Sequence, residues 1–171
     1  MMKLPSIRPL DPDILKMLES SSRQGTIPLI QMPEKEGLTR PYFCPSLTAL
    51  DHNLLVFGLP QERTPLGRGL VRGLWFGRPG KLWLSSPGQT SLSLDVLPFR
   101  CLLAGPVFAR LLNQARSEDP AADFGSVWEL TVLDFEETDC VPEGIPQEAP
   151  DGEPEFHLDH PSLLARTPIK Y

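Results

Sequence analysis

Twenty prolines spread along 171 residues limit this chain's fold more than any other single feature. That is about 12%, against an ordinary ~5%. Each proline fixes φ and removes a backbone donor, so long helices and central strands are disfavoured wherever one falls. The chain is long enough to bury one core, and 40% hydrophobic with 22% charged residues lies in the globular range. The expectation is one α+β domain: a mostly antiparallel β-sheet or small β-barrel with one covering helix, a short N-terminal helix and an acidic, Pro-rich C-terminal tail. The boundaries expected are an N-terminal extension over 1–25, a β-rich core domain over 26–135 and a tail over 136–171.

Asp11-Pro12-Asp13 offers a helix start, with Asp11 as N-cap and Pro12 at the first helical position. Ile14, Leu15, Met17 and Leu18 form an apolar stripe, the serines 20–22 weaken the helix, and Gly25 ends it. Thr26 to Met32 suits a short edge strand because of Pro28, and 33–53 read mostly as loop. Leu54 to Leu59 is a continuous apolar run, a buried strand. Leu70 to Phe76 reads as a strand paired with Lys81 to Ser85 through the turn Gly77-Arg78-Pro79-Gly80. Ser91 to Leu97 and Phe99 to Ala104 make two further strands. Pro106 opens a helix over 106–116 with Val107, Phe108, Leu111 and Leu112 on one side. Ser126 to Phe135 places Trp128, Leu130 and Val132 on one strand face, opposite Glu129, Thr131 and Leu133.

The charge is strongly polarised. Residues 1–62 carry six basic and seven acidic residues, and 63–116 carry eight basic residues against Asp95 alone. Residues 117–160 carry fourteen acidic residues with no Lys or Arg; Arg166 and Lys170 follow, and the net charge is −6. Such a split lets the acidic part fold back on the basic part, or gives each a different partner.

The basic segment opens with Arg63 to Trp83, where Arg63, Arg68, Arg72, Arg78 and Lys81 are interleaved with Trp75, Phe76 and Trp83. A cationic surface with aromatic platforms suits single-stranded nucleic acid, and exposed Trp and Arg equally carry protein interfaces; the plain alternative makes the tryptophans core anchors. The reading favoured is a non-catalytic protein-binding or assembly (adaptor) module whose binding residues are Arg63, Arg68, Arg72, Trp75, Arg78, Lys81 and Trp83. Its rival is a single-stranded nucleic-acid binder with a small barrel. Partners expected are another protein, a basic one through the acidic tail, or single-stranded nucleic acid, and no membrane.

Catalytic chemistry is weakly signalled. GRGLVRG and GRPG are neither Walker A nor GxGxxG, no GxSxG occurs, and no cofactor is called for. Cys44 has His52 eight residues later, yet it reads better as a packed thiol. His157 and His160 stand at i, i+3 beside Glu155 and Asp159, a spacing compatible with zinc but by default a surface pair. Cys44, Cys101 and Cys140 lack CxxC spacing and read as reduced thiols. No apolar run approaches ~20 residues and the N-terminus lacks a signal-peptide core, so a cytoplasmic, non-enzymatic protein is the expectation.

Overall fold

The computed structural model describes residues 9–50 and 54–147. Its centre is one seven-stranded antiparallel sheet, curled into a half-barrel. The elements in chain order are α1 (Pro12–Gln24), β1 (Leu29–Gln31), β2 (Tyr42–Phe43), β3 (Thr48–Leu50), β4 (Leu54–Leu59), α2 (Pro65–Phe76), β5 (Gly80–Leu84), β6 (Ser91–Leu102), α3 (Pro106–Glu118) and β7 (Ser126–Thr138). The strand order is β2-β1-β5-β6-β7-β4-β3, so β5, β6 and β7 form a meander at the centre.

Both faces of the sheet are covered in part. On the inner face α1 brings Ile14 and Met17, and α2 brings Leu66 and Leu70, onto Leu55, Phe57, Leu82, Leu84, Leu94, Trp128 and Leu130. On the outer face α3 sets Leu111 against Val56 and Val127, with Val107, Phe108 and Phe124 packed around them. This two-sided cover explains the unbroken apolar run of β4: Leu55, Phe57 and Leu59 belong to the inner core and Val56 to the outer one.

The first helix forms as its sequence dictates. Asp11 Oδ1 accepts from the amide of Asp13 at 2.8 Å, and Gly25 closes the helix at φ 69°. The serines expected to weaken α1 instead fasten it. Ser21 donates to the Ser85 carbonyl, and Ser20 shares a 2.7 Å hydrogen bond with Ser86, which donates to Gln24.

Four expectations are corrected. Leu70 to Phe76 is no strand and makes no hairpin with 81–85: it is the second half of α2. Thr64 caps that helix by accepting from Gly67, Pro65 occupies its first turn, and Gly77 ends it at φ 60°. The strand at 26–32 is not an edge, because Pro28 lies just before β1, which β2 and β5 flank. The two strands expected over 91–104 are one, running through Pro98. Beyond Val96, β6 has no β5 partner, so the missing proline amide leaves no bond unmade there, and bulges bend the strand on either side. Three helices, rather than an N-terminal helix and one cover, flank the sheet.

β7 runs to Thr138, two residues past the start of the acidic stretch, and the chain then returns to the sheet's edge. Ile145 forms a parallel bridge with Tyr42, and Phe43 donates its amide to the Ile145 carbonyl at 2.9 Å. Gln147 donates to the Phe43 carbonyl at 2.8 Å. Edge strand β2 is thereby covered.

Candidate functional site

α2 presents one solvent-facing stripe. Arg68, Arg72 and Phe76 recur at i, i+4 and i+8, and Trp75 lies three residues past Arg72, so all four project from neighbouring turns. Trp75 and Phe76 are each 74% exposed. The opposite side of the helix is Leu66, Gly67, Gly69, Leu70 and Gly73, all buried.

Facing Arg68 and Arg72 is the turn over 33–38. A Pro33–Leu38 bridge and a 3.0 Å bond from the Glu34 amide to the Gly37 carbonyl close it. Arg78, just past the end of α2, donates to the Glu34 carbonyl at 2.8 Å and ties the turn to the helix. Between them lies an open groove of about 360 Å³ lined by Glu34, Lys35, Glu36, Pro65, Arg68 and Arg72. Its floor is the start of α2, whose first turn holds no acidic residue. The helix dipole makes that end electropositive, and Arg68 and Arg72 add two forked donors suited to phosphate or carboxylate.

The residues expected to form one surface are distributed over two sides of the sheet. Arg68, Arg72 and Trp75 share the α2 stripe, Arg78 braces the groove, and Arg63 precedes the helix cap. Leu82 and Leu84 point into the inner core with α2, so the alternate residues Lys81 and Trp83 face the other way. There Lys81 pairs with Asp95 at 2.7 Å and Trp83 is half-buried. Of the three tryptophans only Trp128 is a core anchor, 4% exposed with its indole donating to Ser126. Sequence reasoning missed Glu34, Lys35 and Glu36, which lie in a proline-flanked segment with no periodicity; nothing local ties them to a helix some thirty residues on.

Cys44 is fully buried, and burial pushes its thiol well above the ordinary range. It is a packed thiol, not a nucleophile. Cys101 is half-buried; burial raises its thiol first and the charge of Glu62 adds to this. Cys140 is exposed. A thiol reagent should therefore modify Cys140 first, Cys101 more slowly, and Cys44 only on unfolding, read by mass spectrometry over time. Prompt labelling of Cys44 would contradict its burial. The unfolded thiol ionises near pH 8.5 while folded Cys44 keeps its proton, so this residue makes stability fall as pH rises beyond that value. His52, His157 and His160 lie outside the described residues, and no group of three metal-ligating side chains occurs among the described ones. No helix among them is long and apolar enough to cross a membrane.

No protein-family model and no curated protein sequence matches the chain. Solved structures do match its fold. An FMN-binding protein from Syntrophomonas wolfei superposes with TM-score 0.60 at 9% identity, over 77% of this chain and 90% of its own. HupZ of Group A Streptococcus gives 0.57 at 6% identity, over 75% and 93%. A putative pyridoxamine 5'-phosphate oxidase from Lactobacillus delbrueckii gives 0.54 at 13%, over 79% and 99%. These likenesses correct the functional expectation. The half-barrel is an architecture found in an FMN-binding protein and a putative oxidase, not that of an adaptor or of a single-strand nucleic-acid barrel, and the non-enzymatic reading goes with it.

Proposed function

We propose that this chain is a flavin-binding enzyme that holds an FMN-type cofactor by its phosphate in the groove between α2 and the 33–38 turn. The observation that carries the reading is the half-barrel shared with an FMN-binding protein across 90% of that chain, joined here to a cation-lined groove at a helix start.

The residues present fit the phosphate end of such a cofactor. Arg68 and Arg72 stand one turn apart, Lys35 lies opposite, and α2 offers its electropositive start. Glu34 and Glu36 share the groove, so three cations meet two carboxylates. That balance suits one phosphate group and disfavours a polyphosphate, whose surplus charge would meet the carboxylates. The groove volume falls at the small end of ligand sites, roughly 300–1,000 Å³, and no aromatic residue lines it. Trp75 and Phe76, further along the same stripe, supply the flat apolar surface a tricyclic ring requires. A bound flavin would supply reversible uptake of a hydride or of single electrons. The chain's own part is to anchor the phosphate through Arg68 and Arg72 and to hold the groove's width through the Arg78–Glu34 bond.

Titrations of FMN and riboflavin, which lacks the phosphate, test this by flavin fluorescence. FMN should bind more tightly, and Arg68→Ala or Arg72→Ala alone should each weaken FMN roughly ten- to a hundredfold, since a bond to a charged group contributes about 1.5–3 kcal/mol. Riboflavin binding should hardly change. Equal affinity for the two flavins, or no binding of either, would overturn the proposal.

A further inference from the structure

The walls of the groove decide how long a flavin stays in it. Glu34, Pro65 and Arg72 are half-buried and Lys35, Glu36 and Arg68 exposed, so none of its lining is buried. Sites that retain a small ligand enclose roughly 70–90% of its surface. Here the cradle is open, and the rings that offer a flat surface, Trp75 and Phe76, are each 74% exposed on the outside of α2. One helix surface covers at most one face of a planar ring. The groove also opposes its own ligand, because Glu34 and Glu36 flank Lys35 on the turn that faces the two arginines. We propose, resting on the flavin reading above, that the site takes FMN as a diffusible substrate, exchanged on the time scale of turnover rather than kept as a resident cofactor, and that Glu34 and Glu36 set this exchange by repelling its phosphate.

Magnitudes agree with exchange. Each arginine contributes roughly ten- to a hundredfold toward a phosphate, and one-sided stacking on an aromatic ring about two- to tenfold. Against these stand the lost freedom of association and the repulsion of two carboxylates. The balance places the dissociation constant on the order of 1–100 μM. With association at about 10⁶ M⁻¹s⁻¹, the site releases FMN at roughly 1–100 s⁻¹, which brackets an ordinary turnover number of about 10 s⁻¹. The two carboxylates can be neutralised without loosening the groove. Arg78 holds the turn through the Glu34 backbone carbonyl, and the Glu34 amide closes it on the Gly37 carbonyl, so neither bond uses an acidic side chain.

Stopped-flow dilution of the FMN-loaded full chain, followed by flavin fluorescence, reads the release rate directly. Release should run at about 1–100 s⁻¹, and desalting should strip the flavin from the protein. Glu34→Gln with Glu36→Gln should slow FMN release about three- to tenfold at low salt, with the difference lost at about 0.5 M salt, and should leave riboflavin release unchanged. Trp75→Ala should instead speed the release of both flavins alike, about two- to tenfold. Release slower than about 0.01 s⁻¹, a thousandfold below ordinary turnover, or FMN retained at one per chain through desalting, would overturn the exchange, whether the groove closes or a second copy covers the ring. No change in the double variant, or an equal change for FMN and riboflavin, would overturn the part given to the carboxylates. Absence of FMN binding even at millimolar flavin refutes the flavin reading and the exchange with it, whereas tight, slow binding refutes the exchange alone.

Discussion

Arg100→Ala should lower the stability of this protein by about 2–4 kcal/mol and its melting temperature by roughly 5–12 °C. Glu129, in β7, is fully buried, and both its carboxylate oxygens accept from one guanidinium. Arg100 Nε reaches Oε2 at 2.9 Å, and a second nitrogen reaches Oε1 at 3.0 Å. The two residues are direct cross-strand neighbours, and Arg100 also lies over the Phe99 ring at 6.0 Å. Removing the arginine leaves a carboxylate inside the protein without its counter-charge, for which a loss of 3–5 kcal/mol is usual. The Arg100 side chain is 57% exposed, so water recovers part of that, and the lower range follows. Arg100→Lys keeps the charge but not the fork and should cost about 1 kcal/mol. Glu129→Gln strands no charge and should be milder than Arg100→Ala. Urea and thermal denaturation of the three variants decide the matter. If Arg100→Ala loses less than Glu129→Gln, the carboxylate is not held by this pair.

Most of the framework was legible because local chemistry and tertiary packing agree there. Asp11-Pro12 and Gly25 mark a helix, and α1 occupies that span; Trp128, Leu130 and Val132 alternate with polar partners, and β7 places them in the core. Glu129 shows where alternation stops being informative. Its parity assigns it to the outer face, but only the cross-strand register reveals that Arg100 stands opposite and that the outer face is dry there.

Leu70 to Phe76, expected as a strand, is helical for a reason its neighbours supply. Thr64-Pro65 and Gly77 are the same start and stop signals that mark α1, and Leu66, Leu70 and Leu74 recur at helical spacing. Gly67, Gly69 and Gly73, with Val71, Trp75 and Phe76, outweighed them as strand and turn indicators. Glycine in a helix costs about 1 kcal/mol relative to alanine, a cost that makes sense only if something must approach the helix where a side chain would stand. The groove inherits this. Its helical wall was misread and its other wall is a turn without periodicity, so neither the pairing of Lys35 with Arg68 and Arg72 nor the divergence of Lys81 and Trp83 onto the far face was readable before the helix was known.

Gly69→Val tests that close approach directly and should destabilise the protein by about 2 kcal/mol, although valine is the better helix former by roughly half a kcal/mol. A Cβ at position 69 would lie 2.6 Å from the Met32 Cβ and 3.1 Å from the Pro33 carbonyl oxygen. Neither neighbour can give way cheaply. Met32 is fully buried with its amide bonded to the Thr39 hydroxyl, and Pro33 begins the turn held by the Pro33–Leu38 bridge and by Arg78. The strain is therefore relieved by lifting α2, which moves Arg68 and Arg72 away from Lys35 and should weaken FMN binding as well as lower the melting temperature. Val71→Ala, two residues on at a position 45% exposed, should be neutral or slightly stabilising, because it improves helix propensity and touches no wall of the groove. Opposite signs at 69 and 71 would show that α2 is helical and seated on the 32–33 backbone. A stable Gly69→Val protein would mean that the helix stands off the sheet, and the groove between Lys35 and Arg72 would then lose its fixed width.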